Sequence, residues 1–365
     1  MNRTKRVDVI LATLTVLLVT IGFLVFASAS MGLLSRGGAN YSLVLMKQGA
    51  IALAGIVLLF FLATKIHYKF FQHYATGIFF LTLILTILVF IPHIGFSTKG
   101  GTRWIDLGFG TIQPSEFLKL GTVLFLAAYY AKIKTHVTSF TKGFLPFLIT
   151  VAVVGAIILK QPDTGTFLVV VCGATAVFLA AGGRWLHLAI FALAGIILAA
   201  GLATVYPHVQ DRINTFLNSK QGTLDTSYHL RQSLIAIGSG QIIGRGFGQS
   251  VQKFKYLPEP IGDSIFSVFS EDFGFIGSSV LILLFMFYSL RGLRISDRVP
   301  DQFGRLLGIG IVILIVSQSY INITALTGII PLTGVPLVFI SQGGTALLMA
   351  FIEAGILLQI SRHTQ

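Results

Sequence analysis

The chain has 365 residues, of which 54% are hydrophobic and only 11% are charged, and its mean hydropathy is +0.85. Soluble globular domains carry about 25% charged residues, so this composition excludes a soluble protein and predicts a polytopic membrane protein. The net charge of +13 comes with no basic, aromatic-interleaved domain, which argues against nucleic-acid binding, and the single cysteine, Cys172, excludes an intrachain disulfide and a thiolate metal cluster.

Ten segments are apolar over about 20 residues, the length that a helix needs to cross a bilayer. The first is longer than the core of a signal peptide and lacks a clear cleavage site, so we expect it to be retained. No linker divides the chain, so we predict an all-α polytopic membrane protein with one domain over residues 1–365. The predicted spans are residues 7–30, 44–64, 73–94, 115–133, 144–160, 165–182, 185–206, 265–290, 304–325 and 336–360.

The distribution of lysine and arginine predicts that both termini are cytoplasmic. Cytoplasmic loops of membrane proteins carry an excess of these residues. With the N-terminus inside, the inner loops hold basic clusters over residues 3–6, 132–142 and 291–305. The short outer loops and the adjoining helix mouths then hold only Arg36, Lys47, Lys99, Arg103, Lys119 and Lys160. This pattern is that of a multi-pass membrane protein with both termini on the inner side.

The largest segment outside the predicted spans is residues 207–264, between the seventh and eighth spans and on the outer side. Its part from Tyr228 to Ile237 has the apolar spacing of an amphipathic helix that lies on a membrane. A glycine-rich run from Gly238 to Gly248 follows. Loops of this length are usually functional or disordered, and the apolar positions argue against disorder.

Four carboxylates lie at the mouth of the eighth span, although the whole chain has only 13 Asp and Glu residues. Burial of an ionised carboxylate in hydrocarbon is costly, so acids at this place indicate a water-filled cavity, a substrate path or a chemical step. Asp263 stands immediately before the span; helix capping, worth about 1 kcal/mol, is the structural alternative and is compatible with function. The four acids are Glu259, Asp263, Glu271 and Asp272.

Polar motifs recur at the outer ends of other spans, so that one outward-facing cavity would bring them together. Each also has a structural alternative. Glu116 suits the positive end of a helix dipole and pairs with Lys119 at i, i+3 for about 0.2–0.5 kcal/mol. Asp163 is explained equally well as a turn residue and Glu259 as a solvated loop acid, while Glu353 more readily pairs within the bundle than acts in catalysis.

Taken in order, these motifs resemble the SEDS family (shape, elongation, division and sporulation), which includes FtsW and RodA. The similarity covers nearly the whole chain, and Gly-Gln-Ser before Tyr-Leu-Pro-Glu is closer to FtsW than to RodA. The chain departs from the family pattern at Ile261-Gly-Asp-Ser-Ile-Phe, where the family often has His-Thr-Asp-Phe-Ile-Phe, and at Glu271-Asp, where it has Glu-Glu. The matching strings begin at Arg103, Gln113, Gln161, Gln232, Gly248, Pro331 and Ser341.

The resemblance implies a peptidoglycan glycosyltransferase that polymerises lipid II at the outer face of the membrane. A sugar hydroxyl attacks an anomeric carbon, and undecaprenyl pyrophosphate leaves with inversion, which requires a base and positive charge for the leaving group. Asp263 is the candidate base. The candidate substrate-binding residues are Lys47, Arg103, Glu116, Lys119, Asp163, Gln249, Glu259 and Ser341.

The resemblance also implies a class B penicillin-binding protein transpeptidase as a partner, with other divisome or elongasome membrane proteins. A divalent cation, Mg²⁺ or Mn²⁺, stays open because oxygen ligands leave little sequence signature. Two alternatives remain for the function. A lipid II flippase needs polar groups through the bilayer, where only Gln318, Asn322 and Glu353 lie deep, and a non-catalytic scaffold would leave the outer acids free to vary.

Overall fold

A computed structural model of the chain describes residues 6–35, 41–98, 101–106, 108, 110–205 and 224–364. The described part is mostly helical. Apart from short 3₁₀ and π turns, its helices are α1 (Val9–Ser30), α2 (Tyr41–Lys65), α3 (Tyr68–Leu88), α4 (Pro114–Ile133), α5 (Leu145–Lys160), α6 (Thr164–Ala180), α7 (Trp185–Val205), α8 (Leu224–Ser239), α9 (Gln252–Lys255), α10 (Ile265–Asp297), α11 (Gln302–Leu326) and α12 (Gly344–Ser361).

A long helix underlies each predicted span, namely α1 to α7 and α10 to α12. Among the described helices, seven combine the length and hydropathy that crossing a membrane requires, and α6 and the apolar part of α7 are shorter. Helix α4 carries Glu116 and Lys119 near its start, which lowers its hydropathy, but protein surrounds most of its length. The chain is therefore an integral membrane protein with a mostly helical fold.

Several predicted boundaries are wrong where proline and glycine end a helix. The third span was predicted over 73–94, but α3 stops at Leu88 and the chain turns before Pro92. The tenth span was predicted over 336–360, but α12 begins only at Gly344, since residues 331–343 form an irregular segment. This segment, which we call the α11–α12 connection, carries Ser341 and contacts the turn that precedes α10.

A small antiparallel sheet between α3 and α4 departs from the all-α expectation. Its strands are β1 (Gly95–Thr98), β2 (Gly101–Asp106) and β3 (Thr111–Ile112), in the order β1-β2-β3, with Gly95 opposite Ile105 and Ile105 opposite Ile112. The strands are rich in β-branched and aromatic residues, which favour extended backbone. The sheet carries Arg103 to the start of α4 and the α5–α6 turn.

Helices α4, α11 and α12 form the centre of the bundle, because most of their residues are buried. In contrast, α2, α3 and the second half of α10 expose large apolar side chains such as Phe60, Phe80 and Phe287, as membrane helices do toward lipid. Close approach requires glycine at one contact: a methyl group on Gly22 of α1 would lie 2.2 Å from the carbonyl oxygen of Phe339. The connection therefore packs directly against α1.

Helix α10 is interrupted at Gly274, whose φ of 66° is in the region that favours glycine. The interruption lets the glycine-rich run bond to the helix backbone: Phe275 N–H donates to the Gln241 carbonyl at 2.8 Å, and Arg245 N–H donates to the Glu271 carbonyl at 3.0 Å. A methyl group on Gly274 would lie 2.3 Å from Gly244 N. The run is thus an ordered layer over the first half of α10.

Candidate active site

Asp263 lies in the turn that leads into α10, with its side chain partly exposed. The N-cap of α10 is Ser264 rather than Asp263. Helix capping, the structural alternative for this acid, depends on the side chain of the N-cap residue, and the Ser264 side chain makes no capping hydrogen bond. Asp263 is therefore a partly exposed acid at the end of a buried helix, which is the placement that chemistry with a substrate requires.

The backbone of Asp263 is tied to the α11–α12 connection through Asn322. The Asn322 side chain donates to the Asp263 carbonyl and to the Val335 carbonyl, both at 2.8 Å. A methyl group on Gly334, whose φ is 70°, would lie 3.3 Å from Asp263 Oδ2, so the carboxylate faces this glycine. A buried amide and a residue without a side chain thus fix the position of the acid and leave it room.

Ser341 binds the same turn from a second direction. Its hydroxyl donates to the Gly262 carbonyl at 2.9 Å and accepts from Leu337 N–H at 2.8 Å, and it is buried. The next residue, Gln342, donates its backbone N–H to the Ile261 carbonyl at 2.8 Å. Ser341 is therefore a support of the Asp263 turn.

Glu259 begins this turn. Its backbone carbonyl accepts from Gly262 N–H at 3.0 Å and from Ser264 N–H at 3.2 Å, and its side chain is partly exposed. Its φ of 46° is in the left-handed region, which costs a residue with a side chain about 1–3 kcal/mol and is more frequent at functional sites. Glu259 and Asp263 are thus two partly exposed acids at opposite ends of one turn.

Glu116 and Lys119 form a buried ion pair on α4. Lys119 Nζ lies 2.8 Å from Glu116 Oε2, the two side chains are 4% and 3% exposed, and the ammonium also donates to Gln318 Oε1. Gln318 in turn donates to the Pro336 carbonyl at 3.1 Å. Gln318 and Asn322 are four residues apart on one face of α11, so one helix face supports both the cation and the Asp263 turn.

Arg103 serves a different place. It donates from Nε to the Gln161 carbonyl at 3.0 Å and from Nη2 to the Pro162 carbonyl at 2.6 Å. Two donors of the guanidinium thus hold the α5–α6 turn. Arg103 therefore acts as a clamp on this turn.

Asp163 continues the clamp into α6. It is buried and is the N-cap of α6, where it accepts from Thr166 N–H at 3.1 Å and from the Thr166 hydroxyl at 2.8 Å. It also accepts from Gln113 Nε2 at 3.2 Å, and Gln113 N–H donates to the Thr345 hydroxyl of α12 at 3.1 Å. Asp163 is therefore more than a turn residue. It caps α6 and, through Gln113, connects this helix to the start of α4 and to α12.

The remaining two candidates are on exposed surface. Lys47 is an exposed residue of α2, and Gln249 is exposed in the turn that ends the glycine-rich run, where its N–H donates to the Gly246 carbonyl at 3.1 Å. The structure thus brings Asp263, Glu259 and Ser341 together in one turn cluster. Arg103 and Asp163 are at the α5–α6 turn.

Glu271 does not line a cavity, contrary to the general expectation for the four acids. It is fully buried and accepts three hydrogen bonds, from the Ser250 hydroxyl at 2.6 Å, Val251 N–H at 3.0 Å and Gln252 N–H at 3.2 Å. It also forms an ion pair with Arg245, whose Nε lies 3.4 Å from Glu271 Oε1. The carboxylate thus closes the start of α9, where helix N–H groups have no partner within the helix. Its role is to hold the segment that leads to the Asp263 turn.

Asp272 completes this clamp from the buried side. It accepts from Ser250 N–H at 2.8 Å, from Gly248 N–H at 3.3 Å and from the Ser28 hydroxyl of α1. Lys253, whose side chain is fully buried, donates to Ser28 Oγ at 3.1 Å and to the Gly248 carbonyl at 2.8 Å. Burial lowers the pKa of the Lys253 ammonium, and the neighbouring carboxylates oppose this shift.

We expect Glu271→Gln to lower the unfolding temperature measurably. One carboxylate oxygen becomes an NH₂ group, which cannot accept a hydrogen bond, so a buried donor that faces it loses its partner. One unsatisfied buried donor costs about 1–3 kcal/mol. Asp297→Asn is the matched control: Asp297 is 60% exposed and pairs with the exposed Arg305, and such pairs contribute about 0–1 kcal/mol. Thermal unfolding of the purified variants in one detergent measures the difference, and equal shifts would contradict the clamp.

Within the part of the chain that the structure describes, no group of three or more His, Cys, Asp or Glu side chains is placed to hold a metal ion. Mg²⁺ does not require such a group, because it keeps several waters and uses one or two carboxylates together with substrate phosphates. Asp263 and Glu259 are the partly exposed acids that fit this description.

Known proteins are similar to this chain over nearly its whole length. A family profile described as "Cell cycle protein", which groups FtsW, RodA and SpoVE, matches residues 8–365. Stage V sporulation protein E of Bacillus subtilis is 37% identical over 358 residues, 98% of this chain and 98% of the relative. A probable peptidoglycan glycosyltransferase FtsW of Geobacter sulfurreducens is 35% identical over 357 residues, 98% of this chain and 95% of the relative.

Solved structures with the same fold cover 98% of the chain. One, from a study of how a peptidoglycan synthase complex coordinates polymerization and crosslinking, has a TM-score of 0.79 at 25% identity over 98% of its own length. The rod shape determining protein RodA of Thermus thermophilus has a TM-score of 0.72 at 23% identity over 98% of its length and shows the fold alone. The chain belongs to the FtsW, RodA and SpoVE family of integral membrane proteins.

Proposed function

We propose that this protein is a peptidoglycan glycosyltransferase that polymerises lipid II into glycan strands during cell division and cell-wall synthesis. Relatives named as such are 33–35% identical over 98% of the chain. The observation that carries the proposal in this chain is the support of Asp263: amide and hydroxyl groups from α11 and the α11–α12 connection fix the backbone around a partly exposed carboxylate. Catalytic groups need such fixed geometry.

Asp263 is the proposed general base. The 4-hydroxyl of the acceptor sugar loses its proton to the carboxylate while its oxygen forms the bond to the anomeric carbon of the donor. The bond from that carbon to the pyrophosphate oxygen breaks, and undecaprenyl pyrophosphate leaves with the electron pair. Attack from the face opposite the leaving group inverts the anomeric centre. A positioned base contributes about 10²–10⁴-fold to such a step.

The leaving pyrophosphate gains negative charge, which fixed cations stabilise best in a site with little water. Lys119 is the favoured cation, because Gln318 and Asn322 on one face of α11 connect its surroundings to the Asp263 turn. Glu116 positions Lys119, while Arg103 and Asp163 shape the α5–α6 edge of the site. Lys47, Gln249 and Glu259 are proposed contacts for the headgroup or glycan at the exposed rim.

A divalent cation, Mg²⁺ or Mn²⁺, remains part of the proposal. Asp263 and Glu259 would hold it together with pyrophosphate oxygens, and the cation would add positive charge beside the leaving group. Removal of divalent cations with EDTA, followed by readdition of Mg²⁺ or Mn²⁺, checks whether polymerisation depends on it.

We propose that all ten long helices cross the membrane, with both termini in the cytoplasm and the Asp263 turn at the outer face. The excess of lysine and arginine in the alternate loops supports this orientation. The outer loop over residues 207–264 then includes α8, α9 and the Asp263 turn within a single domain of residues 1–365. Residues 207–223 of this loop lie outside the described part of the chain.

The proposed partners are a class B penicillin-binding protein, which would crosslink the emerging strand, and other divisome or elongasome membrane proteins. The described residues form transmembrane-type helices and one small sheet, and none of these is a soluble domain that could crosslink. Similarity to a complex that coordinates polymerization with crosslinking supports the pairing. Retention of a single-span penicillin-binding protein during purification in mild detergent tests it.

Polymerisation of purified lipid II by the purified protein in liposomes tests the proposed function directly. Glycan strands that a muramidase degrades are the expected product, with and without the penicillin-binding protein. Accessibility of the lipid II headgroup on both leaflets is measured in the same liposomes. Headgroup movement without polymer formation would instead establish a flippase. If neither activity is found with the partner present, the scaffold role is the alternative that remains.

A further inference from the structure

Helix α8 touches the Asp263 turn through one histidine. His229 is partly buried, and its Nε2 atom lies 2.7 Å from the hydroxyl oxygen of Ser264. Ser264 is fully buried, and the same hydroxyl lies 2.7 Å from the Pro258 carbonyl oxygen. The hydroxyl therefore joins α8 to the N-cap of α10 and to the residue that precedes the turn.

The number of protons fixes the direction of both bonds. A serine hydroxyl has one proton to donate, and a carbonyl oxygen can only accept. The Ser264 hydroxyl must therefore donate to Pro258, and its lone pair then accepts from His229. His229 consequently carries a proton on Nε2, in either the neutral or the charged ring. Glutamine, whose side-chain amide can reach a similar position, keeps this donor, and phenylalanine loses it.

The two bonds close the turn that bears Asp263. The turn follows Pro258, is closed by Ser264 N–H donating to the Glu259 carbonyl at 3.2 Å, and ends at Ser264. Without His229, the hydroxyl keeps Pro258 but loses its tie to α8.

We infer that His229 is a positioning residue for Asp263, acting through the hydroxyl of Ser264, an inference that rests on the proposed glycosyltransferase function. His229 does not touch the reacting atoms in this account. It holds the turn so that the Asp263 carboxylate stays at the distance that proton transfer needs. Loss of the His229 hydrogen bond therefore lowers the turnover rate more than it weakens substrate binding.

Kinetics of His229→Phe and His229→Gln test this role. We expect His229→Phe to lower kcat about 5- to 10-fold, the effect of one lost hydrogen bond, with KM within about twofold. His229→Gln restores kcat to near the wild-type value because it keeps the donor. Ser264→Ala lowers kcat by a similar factor, and the double variant His229→Phe/Ser264→Ala is no slower than the slower single variant.

Arg231→Gln is the matched control, because Arg231 is exposed on the same helix two residues away. Its kcat should equal that of the wild type. Equal kcat for His229→Phe and His229→Gln would overturn the inference, whether both are normal or both are low. A low kcat in both variants together with a lower unfolding temperature would establish a purely structural role for His229.

A measurement independent of activity separates this inference from the proposed function. In a Cys172→Ser background, which removes the single cysteine, Asp263→Cys is labelled with a membrane-impermeant maleimide. The labelling rate should rise severalfold with His229→Phe and stay unchanged with His229→Gln. Equal rates overturn the positioning role even where the wild type polymerises. The predicted rise supports the tie to α8 even where no polymer forms, and in that case only the proposed function fails.

Discussion

Replacing Asp263 with asparagine should reduce lipid II polymerisation by about 10²–10⁴-fold, the usual contribution of a general base. The amide has the size of the carboxylate but cannot take the proton of the acceptor hydroxyl. The variant should keep its unfolding temperature, because Asn322 and Ser341 hold this turn through backbone carbonyls that the substitution does not alter. Initial rates of glycan formation at saturating lipid II measure the effect.

Two further variants show whether the loss is chemical. Asp263→Glu keeps the base but displaces it, so it should retain more activity than Asp263→Asn. Asp297→Asn removes an exposed acid from the far end of α10 and should polymerise at the wild-type rate. Wild-type activity in Asp263→Asn would remove the acid from the mechanism, and loss of folded protein would make it a structural residue.

The sequence predicts well where the long apolar helices lie, because a span of about 20 apolar residues has few alternatives in a membrane protein. It also predicts which turns carry polar residues. The sheet of β1 to β3 escapes such reasoning, since short strands beside long apolar helices produce little periodic signal. The apolar composition of residues 336–343 places them in the predicted tenth span, but Pro336 lies inside an irregular segment and α12 begins only at Gly344.

The roles of the acids could not be divided from the sequence alone. Glu271 and Asp272 look as available as Asp263, yet both are buried and bound by backbone N–H groups. Their partners are distant along the chain: Ser28 lies 244 residues from Asp272. The spacing of residues along the chain does not indicate such contacts. For the same reason the sequence does not indicate the contacts of Lys253 and His229. The Gly274 interruption, which allows these contacts, depends on a φ value that sequence does not display.

The pair of Glu116 and Lys119 offers the second large effect. At an exposed helix end it would contribute well under about 1 kcal/mol, but both side chains are buried here. Removal of one partner of a buried pair costs about 3–5 kcal/mol, because the other charge is left without compensation. Lys119→Met and Glu116→Gln should therefore each lower the unfolding temperature strongly. Gln318 loses its ammonium donor in the first variant only.

The double variant Glu116→Gln/Lys119→Met separates stability from chemistry. It removes both charges, so no uncompensated ion remains, and an uncompensated ion is the main penalty when one partner of a buried pair is lost. We expect its unfolding temperature to return close to that of the wild type. The exposed pair of Asp297 and Arg305 is the control: its double variant Asp297→Asn/Arg305→Met should change neither stability nor polymerisation.

Polymerisation per folded molecule then decides what the buried cation does. If Lys119 stabilises the leaving pyrophosphate, the stable double variant should remain about 10²- to 10³-fold slower than the wild type, the loss typical for removal of one preorganised electrostatic contact. A structural pair predicts the opposite, because turnover would return together with stability. If both the unfolding temperature and the polymerisation rate return to wild-type values, Lys119 does not stabilise the pyrophosphate, and Arg103 or Lys47 becomes the candidate cation. Recovery of stability alone would mean that a cation has been kept in a buried, expensive position because the transition state needs its charge.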